Sequence, residues 1–306
     1  MTKKNHKFTN TQTDENRDTK FYDWLVLWLE LRRYSLKPST FERYERLVAK
    51  FSDADFFLSA VSVEYLQSKI NELYINGQSY SSMRQCLVCV RMAIRKAVIL
   101  GYLPQVYLSY CDLVDIPRRK PKDIVSLSPF EVRRIIHCCY TVDNCGSLFL
   151  FLLYSGARVG EALAMRWSDV DFNSRTISIM HTLYRGVLLD TKTEKGSRVI
   201  PLTNELSRLI RAQEHRSDFV FCRDNGELWS YRSVLYYWHK LLDSLGYKRC
   251  GLHVLRHTYA SQALRCGVNA VVLARLLGHS DSSFTLRRYC DANYDDMRDA
   301  VRRIKY

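Results

Sequence analysis

No stretch of this 306-residue chain comes near the roughly 18 consecutive apolar residues that a membrane span requires. No apolar leader is present either. The opening residues, MTKKNHKFTNTQTDENRDTK, are polar and mixed in charge, so they read as a disordered tail and not as a secretory signal. Without a leader the 10 cysteines are expected to be reduced thiols of a cytoplasmic protein. Cys86 and Cys89 form a CxxC, but no second pair of ligands lies nearby and the surrounding pattern is helical. They are expected to be small packing residues, neither zinc ligands nor a redox pair. There is no internal repeat and no low-complexity tract.

Negative charge is in short supply. Asp and Glu total 32 against 46 Lys and Arg, a net charge of +14 and a pI near 9.3. That balance points to a polyanionic partner, nucleic acid first. Apolar residues make up 47% of the composition, enough for sizeable cores, and the length favours two domains.

The first 100 or so residues carry helical periodicity. FYDWLVLWLELRR spaces its apolar residues as one buried stripe from Phe21. A second helix is expected from Pro38 or Ser39, and a third from Ser62 to Gly77. A fourth runs from Ser79, with Met83, Leu87, Val90, Ile94 and Val98 on one face and Arg84, Arg91 and Arg95 opposite. Gly101 is its expected stop. The arginines fit either a solvated face or a surface that meets phosphates. IPRRKPKD, at 116–123, holds two prolines and four basic residues and has little to bury, so the domain boundary is expected there. Its Arg118, Arg119 and Lys120 could lie along a phosphate backbone.

Beyond that linker the next helix opens on Ser128 as N-cap, Pro129 at its first position and Glu131 closing a capping box. After Trp167 the period changes to two. RTISIMHTL, GVLLDTKT and SRVIPL read as three consecutive strands, the last two joined by a turn at TEKGS. From Pro201 onward the signals are helical again. The expected fold is mainly α with a small three-stranded antiparallel sheet.

Chemistry concentrates in three words: YSGARVGEALAMRW at 154–167, HVLRHTYAS at 253–261 and LGHSDSSFTLRRY at 277–289. Arg158 follows the Ser155–Gly156 break and opens a helix, where free N–H groups and the helix dipole favour an anion. The bland reading is a surface pair with Glu161, one turn on. Arg256 repeats the arrangement in a helix expected to begin near Leu255 and end at Gly267. His253, three residues earlier, can face the same point and move a proton near neutral pH; His257 is expected to pack. His279 follows a short helix stopped by Gly278. Tyr289 comes next, flanked by Arg287 and Arg288, and a cationic surround would lower its phenol pKa; Tyr294 is the competing phenol. Lys192 can reach a leaving oxygen as general acid, with Lys195 as competitor. Two guanidiniums, imidazoles and a phenol suit metal-free chemistry on a phosphodiester.

These residues resemble the tyrosine recombinases, or phage-type integrases. The family's Arg–Lys–His–Arg–His–Tyr set falls in order on Arg158, Lys192, His253, Arg256, His279 and Tyr289. The catalytic resemblance covers roughly 123–306, and SLKPSTFERYERL with its neighbouring helices resembles the core-binding domain at about 20–115. The resemblance implies a tail at 1–18, a helical core-binding domain at 19–115, a basic linker at 116–123 and a catalytic domain at 124–306 that ends in a tail helix. It implies a C-shaped clamp on double-stranded DNA, a 3′-phosphotyrosine intermediate, a Holliday junction, a homotetramer on two duplexes and no cofactor or metal. Arg158 and Arg256 would clamp the phosphate and Lys192 would protonate the 5′-oxygen. His253 would assist proton transfer and His279 would bond the phosphate. Glu161 and Asp169 match family positions where structural support is expected. The tail DANYDDMRDAVRRIKY would present Met297, Val301 and Ile304 to a neighbouring subunit.

One departure concerns the N-terminus. About 18 polar residues precede the first helix, too few for the arm-binding domain that many mobile-element integrases carry. Integration and excision of a mobile element is the expected role, with an accessory directionality factor as a possible partner. The alternatives are a chromosome or plasmid dimer resolvase, a type IB topoisomerase, and a catalytically silent DNA-binding regulator. On helix position alone, Thr40, Arg43, Ser81 and Arg84 are the expected DNA contacts of the first domain.

Overall fold

Short polar caps and apolar stripes set where the helices of the N-terminal unit begin and which way they face. The computed structural model describes residues 19–118, 126–141, 145–190 and 197–278. The chain divides into two compact units between Lys122 and Asp123. In the first unit α1 (Phe21–Glu30) buries Phe21, Trp24, Leu25, Trp28 and Leu29. Helix α2 (Pro38–Val48) starts on its proline, whose fixed φ suits a first helical turn and whose missing N–H is not needed there. Helix α3 (Val63–Ile75) is capped by Ser62, whose side chain accepts from the Tyr65 N–H. Helix α4 (Tyr80–Ile99) is capped by Ser79 in the same way and buries Met83, Cys86, Leu87, Cys89, Val90, Ala93, Ile94 and Ala97. Gly77 and Gly101 follow α3 and α4 with φ of +81° and +80°. The Trp24 indole N–H donates to the Ala93 carbonyl at 3.0 Å, which ties α1 to the buried face of α4.

Cys86 and Cys89 both lie in this core. Burial pushes the Cys89 thiol up to about 12, and does the same for Cys139 and Cys145 in the second unit. The thiolate is the reactive form. Under native conditions, exposed Cys266 is therefore expected to take a maleimide first among the described cysteines, and these three only after unfolding. Mass mapping of labelled peptides checks this; fast native labelling of Cys89 would contradict the packing shown.

The second unit opens with α5 (Pro129–Thr141). Its capping box is complete: the Ser128 backbone N–H and hydroxyl both donate to Glu131 Oε2 at 2.8 Å, and the Glu131 N–H donates to Ser128 Oγ at 3.3 Å. Helix α6 (Gly146–Ser155) is apolar on all sides and forms the centre of this core. Helix α7 (Val159–Leu163) follows one tight turn later.

The strands differ from the sequence reading. RTISIMHTL is two strands, not one, because the ladder breaks at Met180. The three-stranded antiparallel sheet has the order β1–β2–β5, built from β1 (Val170–Asp171), β2 (Thr176–Ile179) and β5 (Arg198–Pro201). The other two strands, β3 (His181–Tyr184) and β4 (Val187–Asp190), form a separate antiparallel hairpin. GVLLD therefore pairs backward with β3 and not with SRVIPL. Period-two alternation marks a strand but does not name its partner. The reason for the split is visible at Gly160 of α7: a Cβ there would lie 2.5 Å from Thr182 Oγ1 and 3.0 Å from the Leu183 carbonyl. The hairpin packs closely against α7, which takes it out of the main sheet.

Helices α8 (Asn204–Arg211), α9 (Tyr231–Ser244), α10 (His253–Arg265) and α11 (Ala270–Leu277) complete the described chain. The architecture is mainly helical with small antiparallel sheets. No helix among the described residues is long and apolar enough to cross a membrane.

Candidate active site

The site is built where three backbone turns meet. Gly156 ends α6 in a left-handed conformation with φ +65°. Only glycine suits it: besides the φ, a Cβ would fall 2.4 Å from the Tyr259 ring. Ser155 stabilises the turn, its hydroxyl donating to the Phe151 carbonyl at 2.6 Å and accepting from the Ala157 N–H at 3.1 Å. The chain then extends at Arg158, which is the N-cap of α7.

Arg158 does pair with Glu161, but not as an ordinary surface bridge. Its backbone N–H donates to Glu161 Oε2 at 2.8 Å and its Nη1 to Oε1 at 2.7 Å. The Arg158 side chain is 40% exposed while that of Glu161 is 3% exposed. A buried carboxylate thus holds one edge of a guanidinium that still reaches solvent. A second arginine, Arg198 at the start of β5, donates Nη2 to the same Glu161 Oε2 at 2.8 Å. Burial works to raise the Glu161 carboxyl; the hydrogen bond and charge of Arg198, with the charge of Arg158, outweigh it and hold the group below its usual range.

Arg256 lies in the first turn of α10, which begins at His253, two residues earlier than expected. Leu252 offers no capping side chain, so no local signal fixes the boundary. Arg256 is 2% exposed. Its Nη1 donates to the Gly156 carbonyl at 2.8 Å and its Nη2 to the Leu277 carbonyl at 2.7 Å. Arg158 Nη2 donates to the next carbonyl, Gly278, at 3.4 Å, and Arg198 Nε to the preceding one, Leu276, at 2.7 Å. Three guanidiniums therefore satisfy three consecutive carbonyls at the C-terminus of α11, where four would otherwise lack helical partners. Gly278 caps that helix with φ +65°, as its sequence position suggests, and directly precedes His279.

His253 is exposed, and its ring meets that of buried His257 edge-on at 4.9 Å. The structure thus brings Arg158 and Arg256 to one helix end, and places His253 one turn before Arg256 on α10, with His257 packed against it. Asp169 also supports, its carboxylate accepting the Arg166 backbone N–H at 2.8 Å. Lys192, Lys195, His279, Arg287, Arg288, Tyr289, Tyr294 and the tail with Met297, Val301 and Ile304 lie outside the described residues, as do residues 1–18. Arg198 was missed by the sequence reading. The available signal was alternation in β5, which puts Arg198 on the same face as buried Ile200.

In the first unit Arg43, Ser81 and Arg84 are exposed and Thr40 is half-buried, on helices α2 and α4, which pack together. Lys50 braces the same end of α4, donating to Gln78 Oε1 at 2.9 Å and Ser82 Oγ at 3.0 Å. Arg118 lies with its guanidinium carbon 5.4 Å from the Tyr80 ring centroid. Arg119 and Lys120 lie outside the described residues.

Two arginines anchored at helix termini, in a mainly helical unit with small antiparallel sheets, define a class, and comparison with known proteins supplies its family. The chain belongs to the phage integrase family, the tyrosine recombinases: that family's model matches residues 126–296. Membership makes it a DNA recombinase. It is similar to a XerC-like tyrosine recombinase of Caldanaerobacter subterraneus subsp. tengcongensis, 24% identical over 89% of this chain and 79% of the relative. It is likewise similar to the integrase of Staphylococcus phage L54a, 23% identical over 92% of each chain. Transposase A of transposon Tn554 from Staphylococcus aureus is 30% identical over 59% of this chain and 52% of its own length. Among solved structures, the Tn1549 transposon integrase in complex with a circular intermediate DNA matches with a TM-score of 0.79 at 19% identity, over 94% of this chain and 99% of that one. A lambda integrase tetramer bound to a Holliday junction matches at 0.72 and 15% identity, over 96% and 86%. These last two likenesses concern the fold.

Proposed function

We propose that the chain is a site-specific recombinase that integrates and excises a mobile element through a 3′-phosphotyrosine and a Holliday junction, acting as a homotetramer on two DNA duplexes in the cytoplasm. The observation that carries the reading is the pair of guanidiniums, Arg158 and Arg256, bonded to the consecutive carbonyls of Gly278 and Leu277. Pre-oriented donors stabilise charge that develops on phosphate oxygens without reorganising during the reaction. Arg158, the exposed member, meets one non-bridging oxygen, and Arg256 supports the other from beneath. The phenol oxygen of Tyr289 bonds to phosphorus as the bond to the 5′-oxygen breaks. His253 assists removal of the phenol proton, His279 bonds the phosphate, and Lys192 protonates the leaving 5′-oxygen. The phosphodiester energy stays in the tyrosyl ester, so the reverse attack by a 5′-hydroxyl of the partner strand needs no ATP.

The mobile-element role rests on relatives drawn from a phage and a transposon. Chromosome or plasmid dimer resolution by the same strand exchange is the second reading. Thr40, Arg43, Ser81, Arg84, Arg118, Arg119 and Lys120 are proposed backbone and base contacts that position the duplex. An accessory directionality factor is a further proposed partner.

The test is a nicked suicide substrate carrying the element's own end sequence, incubated with wild type and with Tyr289→Phe and run on a denaturing gel. A covalent protein–DNA adduct is expected from wild type and none from Tyr289→Phe. An adduct that persists moves the nucleophile, with Tyr294 next. Tight binding with no adduct from either protein favours the silent regulator.

A further inference from the structure

We propose that Arg198 is a positioning residue, one that fixes Glu161 and the end of α11 together and so keeps the outward edge of Arg158 both placed and electropositive. The inference rests on the reading of Arg158 as a phosphate-binding group. Arg198 touches no reacting atom in that reading. Its side chain is 6% exposed, and it bonds in two different directions, Nη2 to Glu161 at 2.8 Å and Nε to the Leu276 carbonyl at 2.7 Å. Gly278 rests directly on it: a Cβ at Gly278 would lie 2.9 Å from Arg198 Nη1 and 3.2 Å from Cδ. The last turn of α11 is therefore seated on the Arg198 guanidinium, and that turn carries the carbonyls that hold Arg158 and Arg256.

Charge gives a second reason for this residue. Glu161 and Arg158 alone would form a neutral pair, and a carboxylate 2.7 Å from the guanidinium competes with any phosphate for it. Arg198 shares that carboxylate. Its guanidinium draws on the same Oε2 that the Arg158 backbone N–H uses, so less of the carboxylate's charge opposes a phosphate at Arg158. Lysine would restore the charge but, as a point donor, not both bonds.

The experiment compares single-turnover cleavage of two duplexes by the full-length protein. One carries an ordinary phosphate at the scissile position. The other carries a methylphosphonate, in which a methyl group replaces a non-bridging oxygen and removes the charge. Arg198→Ala is expected to cleave the phosphate up to about 100-fold more slowly, by analogy with the loss of residues that orient metal ligands from behind. Its site affinity should change little, and its deficit on methylphosphonate should be at least tenfold smaller. Arg198→Lys should show the same relief from a smaller deficit. If the alanine variant does not fold, the lysine variant carries the comparison, with melting temperature measured alongside. Arg158→Ala serves as the control. Relief for Arg158→Ala with equal deficits on both substrates for the Arg198 variants would leave Arg198 a fold-supporting residue and overturn the proposal. Wild-type rates for the Arg198 variants would do the same. No relief for Arg158→Ala would overturn the phosphate role of Arg158 itself, and the present inference with it.

Discussion

Arg256→Ala is expected to slow strand cleavage by about 10²–10³-fold, the range measured when one pre-organised donor to a developing oxyanion is removed, and to destabilise the second unit as well. The two effects have one cause. Arg256 is almost wholly buried and spends two N–H groups on the carbonyls of Gly156 and Leu277. Each carbonyl left without its donor costs about 1–3 kcal/mol, so the unit should lose about 2–6 kcal/mol. For a domain of this size a loss of about 3 kcal/mol is a fall of about 6–12 °C in melting temperature. The same deletion frees the turn that presents Arg158 from the turn that precedes His279. Arg256→Lys separates the contributions, because it keeps the charge but cannot bridge both carbonyls. The lysine variant should recover part of the stability and still cleave at least tenfold more slowly than wild type. Rates taken with saturating protein, well below each variant's melting temperature, make the comparison. A wild-type rate from Arg256→Lys would show that charge alone suffices and that the bridge is dispensable.

The sequence was most informative where structure is made by neighbours. Ser62, Ser79 and Ser128 start helices because a hydroxyl two or three residues ahead of a free N–H can satisfy it, and all three do so in the structure. Gly77, Gly101, Gly156 and Gly278 stop helices because the reversed φ that ends them suits a residue without a side chain. Arg158 was legible for a related reason, since it opens the helix that follows the Gly156 stop, whereas the helix that carries Arg256 begins without a capping side chain. What depended on distant chain was not legible. The partner of GVLLD was misread because alternation fixes a face and not a neighbour. That Glu161 would be buried between two arginines could not be read from SGARVGE, since one of them comes from a strand 37 residues later. The convergence of Arg158, Arg198 and Arg256 on one helix end joins four separate segments, and each segment alone looks like an ordinary basic word.

That convergence makes Glu161 the residue whose loss should cost the fold most. Glu161→Ala leaves Arg198 buried at 6% exposure with its carboxylate removed. Removing one partner of a buried pair costs about 3–5 kcal/mol. Glu161→Gln keeps the shape and one acceptor oxygen, so it should cost less and yield folded protein for study. The ionised state gives a distinctive signature. The Glu161 carboxyl sits below its ordinary 4.5 when folded, with burial opposing the shift and Arg198 and then Arg158 imposing it. A group whose folded pKa is depressed contributes its full stability above the unfolded value and loses it as pH falls toward the folded one. Wild type should therefore lose this contribution on acidification below about pH 4.5. Glu161→Gln should start less stable at neutral pH and fall more gently through that acid window. Urea midpoints of the two proteins measured across about pH 7 to pH 3 test this, and the other carboxylates cancel in the difference. Parallel curves would mean that Glu161 is not held ionised by its arginines, and the electrostatic case for Arg198 would fall with it.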